Sequence, residues 1–282
     1  MVVDNPPYLV NCSILFTELP ILERPAAARA AGFDAVEFWW PFATAAPADD
    51  EVERFVSAVQ DAGVRLVGLN FFAGDMPAGD RGLVSWPARS AEFVDNLDVA
   101  VGIGERLGTV AFNALYGNRV DGTAAREQDE LAEQNLALAA SAAARIGAVI
   151  LLEPVSGAPR YPLLTAHDVV AVIERVERAG DSDNLRLLAD LYHLTVNGDD
   201  VTAALTRYAG RVGHVQIADA PGRHEPGTGS IPLEGHLTAL AAAGYTGWVG
   251  LEYVPSTTTE ASLAWLPRSR RAHQHHDHEE TA

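Results

Sequence analysis

Four stretches decide the fold: Ala148–Glu153 (AVILLE), Leu185–Asp190 (LRLLAD), Arg211–Gln216 (RVGHVQ) and Trp248–Glu252 (WVGLE). Each is an apolar run that stops on an acidic or amide side chain. Short apolar runs of this kind read as strands buried on both faces. Parallel strands of an α/β protein aim their C-terminal ends at one face, and that face carries the chemistry. Successive runs are about one strand–helix unit apart, so all four polar ends are expected to ring one mouth.

Working outward, the same rhythm fills the chain. Further strand candidates are Leu9–Leu15, Ala35–Trp39, Arg65–Phe71 and Thr109–Ala114, and the later four extend over Ala148–Glu153, Leu185–Leu191, Val212–Ala218 and Trp248–Tyr253. Helical patterns separate them: Arg24–Ala31, Asp49–Ala62, Pro87–Leu107, Thr123–Ile146, Thr165–Ala179, Asp199–Tyr208 and Pro232–Ala243, with Ser256–Leu266 closing the fold. Asp49 and Asp50 suit a helix start, Gly63 a stop, and Thr165 a cap. Strands alternating with helices argue for a parallel sheet. Eight units in a chain of 282 residues predict a single closed (β/α)₈ TIM barrel over residues 1–266. A doubly wound open sheet would place a glycine-rich phosphate turn after the first strand. Phe16–Pro20 (FTELP) holds no glycine. Residues 267–282 are polar and aperiodic. They are expected to form a disordered tail whose His273, His275, His276 and His278 could scavenge metals.

Composition narrows the function. The formal net charge of −18 opposes nucleic acid and anionic membranes as partners, while a few placed arginines can still reverse the field for a small anion. No run reaches the length of a membrane span. The start, MVVDNPPYLVNC, lacks a basic segment followed by an apolar one, which points to the cytoplasm. Cys12 is the single cysteine, so neither an intrachain disulfide nor a thiolate metal site is available, and its apolar surroundings suggest an inert buried thiol. Two motif-like segments carry nothing. Gly102–Gly108 (GIGERLG) lacks the strand and spacing of a dinucleotide turn, and Gly74–Arg81 (GDMPAGDR) lacks the Lys-Ser/Thr of a phosphate loop and reads as a mobile loop.

Glu153 and Glu252 are the strongest site candidates. A carboxylate at a buried strand end costs several kcal/mol unless paired or metal-bound. One such glutamate would most simply be a salt-bridge partner. Two, joined by Asp190 and Gln216, read as an oxygen-rich metal site whose glutamates can also move protons. Without a His–Cys cluster this donor set suits Mg²⁺ or Mn²⁺ rather than zinc. His193, just past Asp190 in DLYH, can bind a substrate oxygen or shuttle a proton, or simply pack a loop. His214 shares a strand face with Gln216 and reads as a supporting residue. In the loop Pro221–Gly229 (PGRHEPGTG), Arg223 and His224 suit a substrate carboxylate, although Arg223 could instead pair with Glu225. Asn70 and Asn113 end strands and can hydrogen-bond substrate or loop backbone. Glu37, in VEFWW, can support the site. Phe38–Pro41 and Phe71–Phe72 are either pocket wall or a contact for a second copy in a homo-oligomer.

At these residues the chain resembles the hydroxypyruvate isomerases of the xylose isomerase-like barrel superfamily, which also holds ketose 3-epimerases and an apurinic endonuclease family. The similar stretches are Asn11–Pro41, Asn70–Gly82 (NFFAGDMPAGDRG), Ala189–Val196 (ADLYHLTV) and His214–Tyr253, the last, with HVQIADAPGRHEPGTG and GYTGWVGLEY, being the most specific. The resemblance implies that Glu153 and Glu252 are an acid/base pair and that Glu153, Asp190, Gln216 and Glu252 are metal positions. His193 and Arg223 match substrate contacts. A 3-epimerase would have histidine at position 216 and a glutamate at position 159, where this chain has Gln216 and Pro159. The implied reaction is isomerisation of a small 2-oxo acid, 3-hydroxypyruvate to tartronate semialdehyde, through an enediolate. The segment PVSGAPRYPLL after Glu153 departs from the longer asparagine-containing loop of hydroxypyruvate isomerases and keeps 2-oxo-tetronate open as substrate. Two other readings compete: a multi-metal phosphodiesterase, which would need several histidines and a basic groove, and a non-catalytic sugar-acid binding protein.

Overall fold

A computed structural model describes residues 6–180 and 182–272. Eight parallel strands close into a barrel in chain order, with β8 returning to β1. They are β1 (Tyr8–Asn11), β2 (Ala35–Phe38), β3 (Arg65–Asn70), β4 (Ala111–Asn113), β5 (Val149–Leu152), β6 (Leu185–Asp190), β7 (Val212–Ile217) and β8 (Val249–Leu251). The (β/α)₈ expectation is met. Around the strands lie α1 (Arg24–Ala30), α2 (Asp49–Ala62), α3 (Ser90–Leu107), α4 (Ala125–Ala144), α5 (Ala166–Ala179), α6 (Leu191–Val196), α7 (Val201–Tyr208), α8 (Leu233–Ala242) and α9 (Thr259–Ser262).

The helices form where local chemistry and an apolar stripe agree. On α5, Thr165 Oγ1 accepts the Asp168 N–H at 3.1 Å, and Asp168 Oδ2 accepts the Thr165 N–H at 2.9 Å, a reciprocal cap that satisfies two orphan donors. Val169, Val170, Ile173 and Val176 then recur at helical spacing and are buried. α2 stops at Gly63, whose φ of 64° other residues reach only with strain. Its Phe55 meets Phe38 of β2 edge-on, with ring centroids 5.2 Å apart, so Phe55→Ala should cost about 3–5 kcal/mol. Phe38 therefore belongs to the core and not to a surface for a second copy.

Three boundaries differ from the sequence reading. β1 ends at Asn11, not Leu15, because the Asn11 side chain takes the Ser13 N–H at 2.9 Å while its carbonyl accepts Leu15 N–H at 3.0 Å, turning the chain out of the sheet. α6 is an added element directly after β6. The closing helix shrinks to α9, which Thr258 caps through the Ala261 N–H at 3.2 Å. Part of the segment set apart as a tail also packs: Arg268 Nη2 donates to Ala30 O at 2.6 Å, and Arg271 Nη1 to Ala31 O at 2.8 Å. The four tail histidines lie outside the described residues. Among the described residues no helix is long and apolar enough to cross a membrane.

The lower barrel is filled. Leu9, Ala35 and Val67 pack with Trp248 in one cluster, and Ala111, Leu151 and Leu188 with Val149 in another. Strand alternation then points the next inward residues at the open end. Register brings Asn11 beside Glu37, Asn70 beside Asn113, Asp190 beside Gln216, and Gln216 beside Gly250.

Candidate active site

Glu153 follows β5 directly and Glu252 follows β8. Both are buried, as are Asp190 and Gln216. Each carboxylate has its own donors. Glu153 Oε1 accepts from Asn113 Nδ2 at 2.7 Å. Glu252 Oε1 accepts from Trp39 Nε1 at 2.6 Å and Asn11 Nδ2 at 3.1 Å, and its Oε2 accepts from Arg223 Nη2. Asp190 Oδ1 accepts the Tyr192 and His193 N–H groups at 2.8 and 3.2 Å, which starts α6, while Oδ2 faces Arg223 at 3.5 Å. A single residue therefore ends a strand, caps a helix and presents one oxygen to the site.

Behind this ring, Glu37 ties the strands together. Its Oε1 accepts from Gln216 Nε2 at 2.8 Å and from Asn11 Nδ2 at 3.1 Å, and its Oε2 lies 2.7 Å from His214 Nε2. The carboxylate fits because Gly250 faces it: a Cβ there would stand 2.7 Å from Glu37 Oε1. Glu37 and His214 are thus the supporting residues expected of them.

Burial is the main electrostatic fact. It raises Glu153 well above the usual carboxylate range, and the charges of Glu252 and Asp190 raise it further against the Asn113 hydrogen bond. Burial pushes Glu252 up to about 7, opposed by the Arg223 guanidinium and the Trp39 N–H. Asp190 is raised by burial too, with Arg223 and two main-chain N–H groups pulling it back. Burial disfavours the Arg223 cation, but the surrounding carboxylates outweigh this and raise it. His193 is pushed down to about 3, mainly by burial, and is neutral. Its Nδ1 accepts the Ser156 N–H at 3.0 Å, which leaves the ring proton on Nε2, 3.6 Å from Asp190 Oδ2. Cys12 is buried and its thiol is raised by burial, so it is inert.

Glu153, Asp190 and His193 each bring one ligand-type atom within 4.8 Å of the others, a cluster able to hold a metal ion. Glu252 is not in that cluster; its oxygens accept from Trp39, Asn11 and Arg223. The donor set nevertheless fits a hard cation. Gln216 Oε1 is buried without a hydrogen-bond partner, because Nε2 is held by Glu37, and an orphaned carbonyl oxygen beside carboxylates is a ligand in waiting. His193 suits it less, because a protonated Nε2 donates and cannot ligate.

Glu153, Glu252, His193, Arg223 and Asn70 all line one cavity of about 310 Å³. Asn113 reaches the site through Glu153, and its own Oδ1 is buried and unpartnered. Arg223 is placed at the site, but its charge is committed to Glu252 and Asp190 and not to a free carboxylate pocket. It does not pair with Glu225, which binds Ser256 instead. His224 turns away: its Nδ1 lies 2.8 Å from Val254 O, outside the cavity. Arg223, whose backbone has φ 57°, lines the cavity, and its expected substrate partner His224 does not. Trp39 and Phe71–Phe72 prove to be wall of this cavity or of an adjoining one of about 600 Å³ that shares Trp39, Asn70, Met76 and Pro77. Sequence reading passed over Asn11, Ser156 and Arg81, and took Trp39 for wall without its hydrogen bond to Glu252. Asn11 obeys the same strand-end rule as the four acidic and amide ends and was hidden by the overlong first strand.

The profile of the xylose isomerase-like TIM barrel family matches residues 25–269. A Streptomyces coelicolor protein is 55% identical over 268 residues, covering 93% of this chain and 96% of its own, and is named, provisionally, hydroxypyruvate isomerase. A Cupriavidus necator protein named 2-oxo-tetronate isomerase is 36% identical over 264 residues, covering 93% and 97%. A solved Brucella melitensis structure described as an AP endonuclease of family 2 superposes with a TM-score of 0.83 at 32% identity, covering 92% and 97%. The chain belongs to the xylose isomerase-like TIM barrel family, as an isomerase of the hydroxypyruvate isomerase-like kind.

Proposed function

We propose that the protein interconverts 3-hydroxypyruvate and 2-hydroxy-3-oxopropanoate (tartronate semialdehyde) by proton transfer between substrate and the pair Glu153 and Glu252. The observation that carries this reading is the pair itself: two buried glutamates line one small cavity, and both hold protons more tightly than free carboxylates. One glutamate removes a proton from C3, and the electrons form a C2–C3 double bond with charge on the C2 oxygen. The other delivers a proton to C2, while the C3 hydroxyl passes its proton to the C2 oxygen, so that C3 becomes the aldehyde and C2 carries the hydroxyl. General acid–base catalysis of this kind supplies roughly 10²–10⁴-fold. The neutral His193 Nε2–H donates to an enediolate oxygen, and the amide of Asn70 lies beside the same cavity. Glu153, Asp190, Gln216 Oε1 and Glu252 would hold Mg²⁺ or Mn²⁺. Such an ion, when bound, stabilises negative charge on substrate oxygen.

A four-carbon 2-oxo acid is the second reading, favoured by the adjoining cavity, which leaves room for a longer chain. A nuclease role is not favoured: with a formal charge of −18 the surface repels DNA, and His193 is the single histidine in the metal-type cluster. The test is NMR of several 2-oxo acids with the enzyme in D₂O, with and without chelator. Deuterium entering C2 or C3 of 3-hydroxypyruvate as the aldehyde appears is the expected result. Turnover of none of these acids would overturn the proposal.

A further inference from the structure

We infer that Arg81, in the loop between β3 and α3, binds the substrate carboxylate and makes the site select acids over neutral analogues. This rests on the reaction proposed above. Two arginines line the small cavity. Arg223 is spent on Glu252 and Asp190. Arg81 is not: Nη1 donates to Met76 O at 3.0 Å and Asp80 O at 2.6 Å, and no carboxylate among the described residues pairs with it. Carbonyls hold a guanidinium without cancelling its charge, so Nε and Nη2 remain for a ligand. Arg89, on the adjoining cavity, is already paired with Asp80 and Glu92.

The loop is built to present this side chain. Arg81 O accepts the Gly117 N–H at 3.0 Å, and the Gly82 N–H reaches Ala73 O at 2.9 Å. Gly82 has φ 107°, and a Cβ there would stand 1.9 Å from Leu115 O, so the residue after Arg81 must be glycine. Asp80 locks the loop by accepting the Asp75 N–H and the Arg89 guanidinium, each at 2.8 Å. Hydrogen bonds at Asp75, Asp80, Arg81 and Gly82 thus tie this segment to its surroundings. A cation in this wall favours an anionic substrate. Glu153 and Glu252 line the cavity with Asp190 behind them, and Arg223 offsets only part of that charge. A substrate carboxylate is repelled unless it finds its own partner, and a guanidinium fork matches its planar shape. Arg81, Glu153 and Glu252 line the same cavity, so a carboxylate held by Arg81 leaves the reacting carbons in the space the glutamates share.

The test compares 3-hydroxypyruvate with its neutral amide. Calorimetry on Glu153→Gln protein, unable to turn over, gives affinities with and without the added change Arg81→Gln. The parent should prefer the acid, and Arg81→Gln should weaken acid binding roughly 30- to 100-fold and abolish the preference. In otherwise native enzyme, Arg81→Gln should raise KM with a much smaller fall in kcat, Arg81→Lys should recover part of the loss, and guanidinium ion should restore Arg81→Ala. Arg81→Gln protein that still discriminates acid from amide, or Arg81→Ala that guanidinium does not rescue although its melting temperature is native, would overturn the inference. If native enzyme turns over no 2-oxo acid, the proposed reaction fails, while the calorimetric comparison still decides whether Arg81 holds a carboxylate.

Discussion

The two halves of the barrel mouth carry different chemistry. Strands β5 to β8 bring the groups that titrate or carry charge: Glu153, Asp190, Glu252 and, from the loop after β7, Arg223. Strands β1 to β4 end mainly on neutral donors. Asn11 and Trp39 hold Glu252, Asn113 holds Glu153, and Asn70 lines the cavity. Glu37 is the exception, and it turns inward to His214 and Gln216. Buried carboxylates next to one another repel and lose hydration. A facing wall of neutral donors orients them without removing the proton affinity that acid–base work needs.

The most severe break in this arrangement is loss of a working carboxylate. Glu153→Gln and Glu252→Gln should each lower kcat by about 10³-fold or more while near-UV circular dichroism stays native. A variant retaining near-native turnover would refute the acid/base pair. Removing a donor from the neutral half should act more gently. Trp39→Phe deletes a hydrogen bond that restrains the rise of the Glu252 pKa, which stands at about 7 with the bond in place. Without it Glu252 titrates higher, so the limb of the rate profile that Glu252 sets should move to higher pH by roughly one unit. An unmoved limb would mean that Trp39 is only a wall.

Stability tests the charged half alone. Glu153, Asp190 and Glu252 have folded pKa values raised above their unfolded ones, so the folded state holds protons more tightly. The sign follows: each contribution is intact below the group's unfolded pKa and is lost as pH rises through its folded one, which for Glu252 is about 7. A shift from 4.5 to about 7 corresponds to about 3 kcal/mol for Glu252. In chelator, Tm should therefore fall by several degrees between pH 5 and pH 8. Added Mn²⁺ or Mg²⁺ should restore it at pH 8 and do little at pH 5, where protons occupy the ligands. A cation effect of zero at both pH values would remove the metal from the account. The smallest effect is expected at His224, which bonds Val254 O outside the cavity. His224→Ala should leave kcat/KM within about twofold, and a larger loss would show that the loop reaches the substrate.

The eight strand–helix units were legible because hydrophobic period and turn residues are local signals, and they agree along the whole chain. The acidic and amide ends of β5 to β8 were legible for the same reason: a polar group closing an apolar run is costly unless used. Asn11 was missed because an Asx turn interrupted an apolar run that continues in sequence. α6 was missed because its start is set by the Asp190 side chain, which sequence reading had reserved for the site. Trp39 passed for wall because an indole in an apolar stretch says nothing of where its N–H points. Arg223 was named for the site, but its pairing with Glu252 and Asp190 is visible only in the fold, and Arg81 was hidden in a loop whose glycines suggested motion.

The chain by itself determined that a closed barrel would gather its acidic ends at one mouth, since side-chain alternation and strand spacing are properties of neighbours in sequence. Only the tertiary structure decided which charges cancel. Trp39 and Glu252, and Glu37 and His214, meet from distant parts of the chain, Arg223 reaches Glu252 from the loop after the neighbouring strand, and the energy of an ion pair or hydrogen bond depends on a distance that sequence separation does not specify. That is why the committed arginine and the available one, Arg223 and Arg81, are indistinguishable as letters and opposite in role once folded.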